Sequence, residues 1–146
     1  MSPRIDFYVI DQHDDRAREH LSCRLAEKAW SSGHHVFVLA DSPVAAERLD
    51  ELLWTFRDES FLPHALTLPG QPLPEPREAP IVVGAGEIAT SARDVLINLT
   101  DDVPLAYAQF ARIAEIVDAS DSSRSAGRQR FRYYRDHECD VHTHNI

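Results

Sequence analysis

The chain has 146 residues, 43% hydrophobic and 27% charged, which suits one globular domain spanning 1–146 and does not make disorder the default. No run approaches the ~18 consecutive apolar residues of a membrane span, acids at Asp11, Asp14 and Asp15 follow the N-terminal apolar run too soon for a secretory signal, and Cys23 and Cys139 are too few for a disulfide framework, so a cytoplasmic protein without membrane contact is expected. The formal charge of −9 argues against nonspecific nucleic-acid binding, but it is uneven: Arg124–Arg135 holds five arginines and no acid, leaving 10 of the 15 basic groups against all 24 acidic ones elsewhere, about −14.

Arg4–Ile10 reads as a buried strand. Asp14–Ser32 reads as a helix, with Ala17, Leu21, Leu25 and Ala29 at four-residue spacing and Gly33 ending it. His35–Ala40 is a second strand. Ser42-Pro43 supplies an N-cap and first-turn proline for a helix running to about Thr55, its core stripe Ala45, Leu49, Leu52 and Leu53. Phe61–Leu68 contains a proline and suits a short edge strand. Residues 69–80 hold five prolines and read as an ordered or semi-rigid loop. Ile81–Val83 and Asp94–Leu99 are strands, Pro104–Phe110 a short helix, Arg112–Asp118 another strand, Ser120–Asp136 a C-terminal helix and Cys139–His144 a final edge strand. Such alternation predicts an α/β fold: one open, mostly parallel sheet with helices on both faces, Rossmann-like but without a nucleotide site.

Three constellations suggest chemistry, and none is convincing. Val83-Gly84-Ala85-Gly86-Glu87-Ile88-Ala89 matches G-x-G-x-x-A after a strand. In a dinucleotide fold that motif opens a helix at the first βα turn. Here the next strand follows too closely for the helix, and the first turn, Asp11–Asp15, is acidic and glycine-free. His137, Cys139, His142 and His144 lack the paired, separated spacing of a zinc site. The acids Asp11, Asp14 and Asp15 suit an acidic loop and helix N-terminus better than a metal cluster. With no G-x-S-x-G elbow or C-x-x-C motif, neither catalysis nor a cofactor is expected.

Two surface features remain. Trp54 falls off the core stripe of its helix, on the side of Glu47, Asp50 and Glu51, where a tryptophan needs cover from a partner or from its own chain. Phe61-Leu62-Pro63-His64 could share its patch. In the C-terminal helix, Arg124, Arg128, Phe131 and Arg135 recur at i, i+4, i+7 and i+11, with Arg132 beside them. Forked guanidinium groups around one aromatic suit a short acidic peptide, the alternative being a solvated helix face. Gly127 weakens that helix by ~1 kcal/mol relative to alanine.

These segments resemble the chi-subunit family of the bacterial DNA polymerase III holoenzyme, clamp-loader accessory proteins. The resemblance runs through Phe7–Asp11, Ala29–Gly33, Arg48–Trp54, Glu59–His64, Arg93–Leu99 and Arg128–Arg135. It implies a non-catalytic bridge. One contact would be the psi subunit of the clamp loader, through Trp54, Phe61, Pro63 and His64. The other would be the acidic C-terminal tail of single-stranded DNA-binding protein, through Arg124, Arg128, Phe131, Arg132 and Arg135. DNA would be reached only indirectly. The rival readings are a nucleotide-dependent enzyme built on the Gly84/Gly86 turn and a module binding DNA directly through the arginine helix.

Overall fold

Val36–Ala40 (β2) is buried at every residue, as are Val95–Asn98 (β5) and Ile113–Val117 of Arg112–Val117 (β6). Strands apolar on both sides belong in a parallel sheet covered on both faces. The computed structural model describes residues 2–57, 62–86 and 93–146. Arg4–Val9 (β1), Asp15–Ser31 (α1), β2, Pro43–Thr55 (α2), His64–Thr67 (β3), Ile81–Ala85 (β4), β5, β6, Asp121–Asp136 (α3) and Asp140–Asn145 (β7) follow in chain order. The seven strands form one sheet in the order β3-β4-β2-β5-β6-β1-β7, every pairing parallel, so the expected "mostly parallel" sheet is wholly so among the described residues. Both strands anticipated as edges, β3 and β7, are edges.

The helices divide between the faces. α1 and α2 place Leu21, Cys23, Ala26, Ala46, Leu49 and Leu53 against Val38, Ile81, Val83 and Ile97. α3 and a 3-10 turn at Tyr107–Gln109 cover the other face, where Tyr134 and Phe110 meet Phe7, Phe37, Leu96 and Ile113. α1 lies across β2, β5 and β6, so its buried set is Leu21, Ser22, Cys23 and Ala26. Leu25 and Ala29, expected in the core, are only half-buried and look toward Tyr8 and Asp6 on the less covered part of the sheet. In α2 the core is Ala46, Leu49 and Leu53, with Ala45 and Leu52 half-buried at its margins. The segment Pro104–Phe110 makes one 3-10 turn instead of a helix, because so short a stretch cannot offset the cost of helix nucleation.

Loop 69–80 is held by Arg93, 3% exposed, whose guanidinium donates to the carbonyls of Pro74, Ala79 and Pro80. Leu73 and Ala79 of that loop join the core on the α3 side. Gly84 lies inside β4, where a Cβ would stand 2.9 Å from Phe37 Cζ and 3.0 Å from the Thr67 carbonyl. That glycine lets β2, β3 and β4 pack closely. Residues 87–92, on which the missing-helix argument rested, lie outside the described residues.

Gly127 is also a packing residue. It is buried in α3, and a Cβ there would lie 2.7 Å from Val117 Cγ2 of β6. Valine is stiff at χ1 and cannot swing clear. Gly127→Ala should therefore destabilise the protein by about 1–3 kcal/mol in urea unfolding, overpacking outweighing the better helix propensity of alanine.

Candidate partner-binding surfaces

α3 is positioned by a buried polar network. Ser120 caps it, its hydroxyl accepting from Ser123 N at 3.2 Å, and Asp118 in turn accepts from the Ser120 N–H and hydroxyl. At the helix centre Arg130, 3% exposed, donates from Nε to Glu115 of β6 at 2.9 Å and from Nη1 to the Asp101 carbonyl. Tyr134 donates its hydroxyl to Glu115 at 2.6 Å, and Asn98 Nδ2 completes the shell at 3.0 and 3.1 Å. Burial lifts the Glu115 carboxyl above its ordinary range, while the Arg130 charge and the donors from Asn98 and Tyr134 pull it back. Burial first, and then the Glu115 charge, push the Tyr134 hydroxyl well up, so it stays a donor.

With Arg130 turned inward, four of the five arginines face out. Arg124, Arg128, Arg132 and Arg135 are exposed, and none is in an ion pair among the described residues. Phe131 is half-buried beside them, its ring 5.5 Å from that of Phe7 in β1, with the Arg135 guanidinium 5.9 Å from the ring centroid. The row extends about 16 Å at the helical rise. It offers several uncommitted forked donors around an aromatic that is fixed from below, a geometry suited to carboxylates flanking an apolar side chain. The opposite flank of α3 is aromatic: Tyr133 stacks on His137 at 3.9 Å and meets Tyr107 edge-on at 5.7 Å.

On the other face of the sheet, Trp54 is 45% exposed and its ring lies 4.2 Å from that of His64. The His64 ring is itself fully buried. Nδ1 faces the Leu62 carbonyl at 2.7 Å and Nε2 the Asp50 carbonyl at 3.0 Å, with the Asp50 carboxylate at 3.4 Å. The ring expected at the surface therefore presents none of itself to a partner and serves as the floor under Trp54. Pro63 is half-buried next to it. Phe61 lies outside the described residues.

The residues weighed for other chemistry are engaged elsewhere. Asp14 caps α1, accepting from Arg16 N at 2.9 Å, and Asp15 sits in its first turn. His137 is the C-cap of α3, and the other two C-terminal histidines belong to β7: His142 lies 3.0 Å from Asp140, and His144 stacks on Tyr8 and reaches Asp6 at 2.8 Å. Among the described residues no group of three or more His, Cys, Asp or Glu could hold a metal ion. Cys23 is buried and its thiol is pushed up to about 12 by desolvation, so it is not a thiolate at neutral pH. A cavity of about 410 Å³ does open at the carboxyl ends of β2, β5 and β6, where this class of sheet binds nucleotides. Its lining includes Asp15, Glu19, Asp41, Asp101 and Asp118, while Arg48 is paired with Glu19 and Arg18 bonds the Leu99 carbonyl. A polyphosphate would meet five carboxylates there.

Two exposed helix faces of opposite charge on an open parallel sheet, around an acid-lined crevice, define an α/β protein whose prominent surfaces are suited to other macromolecules. The chain belongs to the family described as DNA polymerase III chi subunit, HolC, whose model matches residues 1–142. It is similar to the DNA polymerase III subunit chi of Pseudomonas aeruginosa, 41% identical over 143 residues, covering 98% of this chain and 96% of that one. It is similar also to those of Escherichia coli, 33% identical over 135 residues with 88% of each covered, and Haemophilus influenzae, 28% identical over 146 residues with 100% of this chain and 99% of the other covered.

Two measurements test this anchoring. Arg130→Ala strands the Glu115 carboxylate and should cost about 3–5 kcal/mol in chemical denaturation. Arg128→Ala, on the exposed row, should stay within about 0.5 kcal/mol of wild type. Separately, Asp6 of β1 is 2% exposed and accepts from Arg4, Arg112 and His144. Burial alone would raise its carboxyl, but those three partners outweigh it and hold it at about 2 against 3.8 when free. Its folded value is the lower, so its contribution is full above pH 3.8 and is lost as pH falls through about 2. Acid titration of stability should show about 2 kcal/mol disappearing in that window, and Asp6→Asn should remove that component.

Proposed function

We propose that this chain is the chi subunit of a bacterial DNA polymerase III, a cytoplasmic, non-catalytic protein that acts as one unit over 1–146. In this reading it joins the clamp loader, through psi, to the acidic C-terminal tail of single-stranded DNA-binding protein. Membership of the family carries the replication assignment. The observation that carries the tail contact is the row of Arg124, Arg128, Arg132 and Arg135, unpaired among the described residues and set around Phe131 on a body carrying about −14 elsewhere. A short peptide can lay its few carboxylates on that row and an apolar residue near Phe131 without approaching the acidic remainder. A long phosphate chain would be repelled by that remainder, so DNA is reached through the protein that coats it.

Trp54 suits the second contact, to psi, with His64 beneath as support and Pro63 next to it in the chain; Phe61, outside the described residues, is assigned to the same contact from the resemblance alone. α2 and α3 lie on opposite faces of the sheet, so both partners could be held at once. The acidic lining of the crevice weighs against the nucleotide-enzyme reading, and the overall charge against direct DNA binding.

A fluorescent peptide copying the tail should bind the wild type and weaken as salt rises, because exposed charge pairs are screened. Arg128→Ala, central in the row, should cost ~1 kcal/mol more than Arg124→Ala near the helix start. Trp54→Ala should leave peptide binding unchanged and weaken the psi complex by ~2 kcal/mol or more. Equal peptide affinity for wild type and Arg128→Ala, or tighter binding of naked single strands than of the peptide, would remove the tail site.

A further inference from the structure

The outer face of α2 carries a pattern of its own. Val44, Glu47, Glu51 and Trp54 follow at i, i+3, i+7 and i+10, one row about 15 Å long on the side away from the sheet. All four are exposed, Val44 at 64% and Trp54 at 45%. Between these apolar ends stand two carboxylates one turn apart, a spacing at which like charges weaken a helix. Among the described residues neither forms an ion pair, whereas their neighbour Arg48 is spent on Glu19 at 2.9 Å. The first turn of α2, where the helix dipole would favour an acid, has none. The acids of this row therefore oppose the helix that bears them. Trp54, in contrast, is pre-set by the buried His64 ring.

We infer that the outer face of α2 docks an amphipathic helical segment of the partner. Two apolar side chains of that segment, about 15 Å apart, seat on Val44 and Trp54, and lysine or arginine residues between them meet Glu47 and Glu51. The inference deepens the reading of Trp54 as the psi contact and rests on it. Charge complementarity selects this occupant. A second copy docking the same face across a two-fold axis would set Glu47 and Glu51 against their own equivalents. A groove bordered by Arg16, His20, Leu52, Trp54 and Thr55 runs between α1 and α2 and gives the incoming segment a channel beside the row.

The test uses the full chain and the psi subunit of the same cell as the probe, in calorimetry at about 50 and 300 mM salt. Glu47→Lys/Glu51→Lys should weaken binding roughly 30-fold or more at low salt, and Glu47→Gln/Glu51→Gln by less, both variants melting like wild type. Wild-type affinity should fall as salt rises, and that dependence should be smaller in the glutamine variant. If Trp54→Ala weakens psi binding while the lysine variant binds as wild type does, the charge-matched helix is wrong and the psi contact stands. If neither change matters, the psi contact falls with it. If the wild-type chain alone runs as a dimer or larger species in light scattering and the lysine variant as a monomer, the occupant is a second copy, and the inference is overturned.

Discussion

Glu115 sits in the middle of β6 with no exposed surface, and an isolated carboxylate there would cost the fold several kcal/mol. It is tolerable because α3 brings Arg130 and Tyr134 to it while Asn98 approaches from β5. Those bonds can form only when α3 has one rotation and one height over the sheet. Gly127, with no room for a Cβ above Val117, sets the height. The rotation follows from the i, i+4 placement of Arg130 and Tyr134 on the inward side, and it sends Arg124, Arg128, Arg132 and Arg135 outward. The polar anchor and the close Gly127–Val117 contact together give the helix a defined direction, and direction is what a row of guanidinium groups needs in order to meet carboxylates at fixed spacing.

Charge is sorted by face for a related reason. The acidic residues are spread over most of the chain, while four exposed arginines, none in an ion pair among the described residues, are gathered on α3. Elsewhere several arginines are paired locally, Arg48 with Glu19, Arg57 with Glu27, and Arg4 and Arg112 with Asp6, while Arg16, Arg24 and Arg77 stand exposed and apart from one another. A body of one sign with a single patch of the other presents a weak field to a long polyanion and a strong local one to a short acidic peptide.

The strands and helices were legible because each carries its own local signal. Uninterrupted apolar runs marked β2 and β5, Ser42-Pro43 marked a helix start, and the proline within Phe61–Leu68 marked β3 as an edge. The stripe of α1 was misplaced because four-residue spacing says which residues share a face, not which strands that face spans. The role of His64 was hidden because a histidine beside a tryptophan reads as surface until the carbonyls of Leu62 and Asp50 are seen to claim both ring nitrogens. The Glu115 network left a trace that could have been read: one glutamate inside the apolar run Ile113–Val117, and one arginine, Arg130, out of phase with the other four. Asp6, between Ile5 and Phe7, left the same trace in β1.

Those two buried acids divide the work of closing the sheet. Asp6 draws on Arg4 in its own strand, Arg112 in β6 and His144 in β7, so it ties the last strand of the chain to the first. Glu115 ties the preceding helix to the same part of the sheet from the opposite face. Between them α3 has its underside fixed to β6 and its C-terminal continuation fixed to β1. A helix held at its centre and through the strand that follows it loses little further freedom when a ligand settles on its outer surface, so more of the contact energy survives as affinity. The arginine row could have been built on any exposed helix. On α3 the Glu115 network and the β7 pairing have already ordered the helix that carries it.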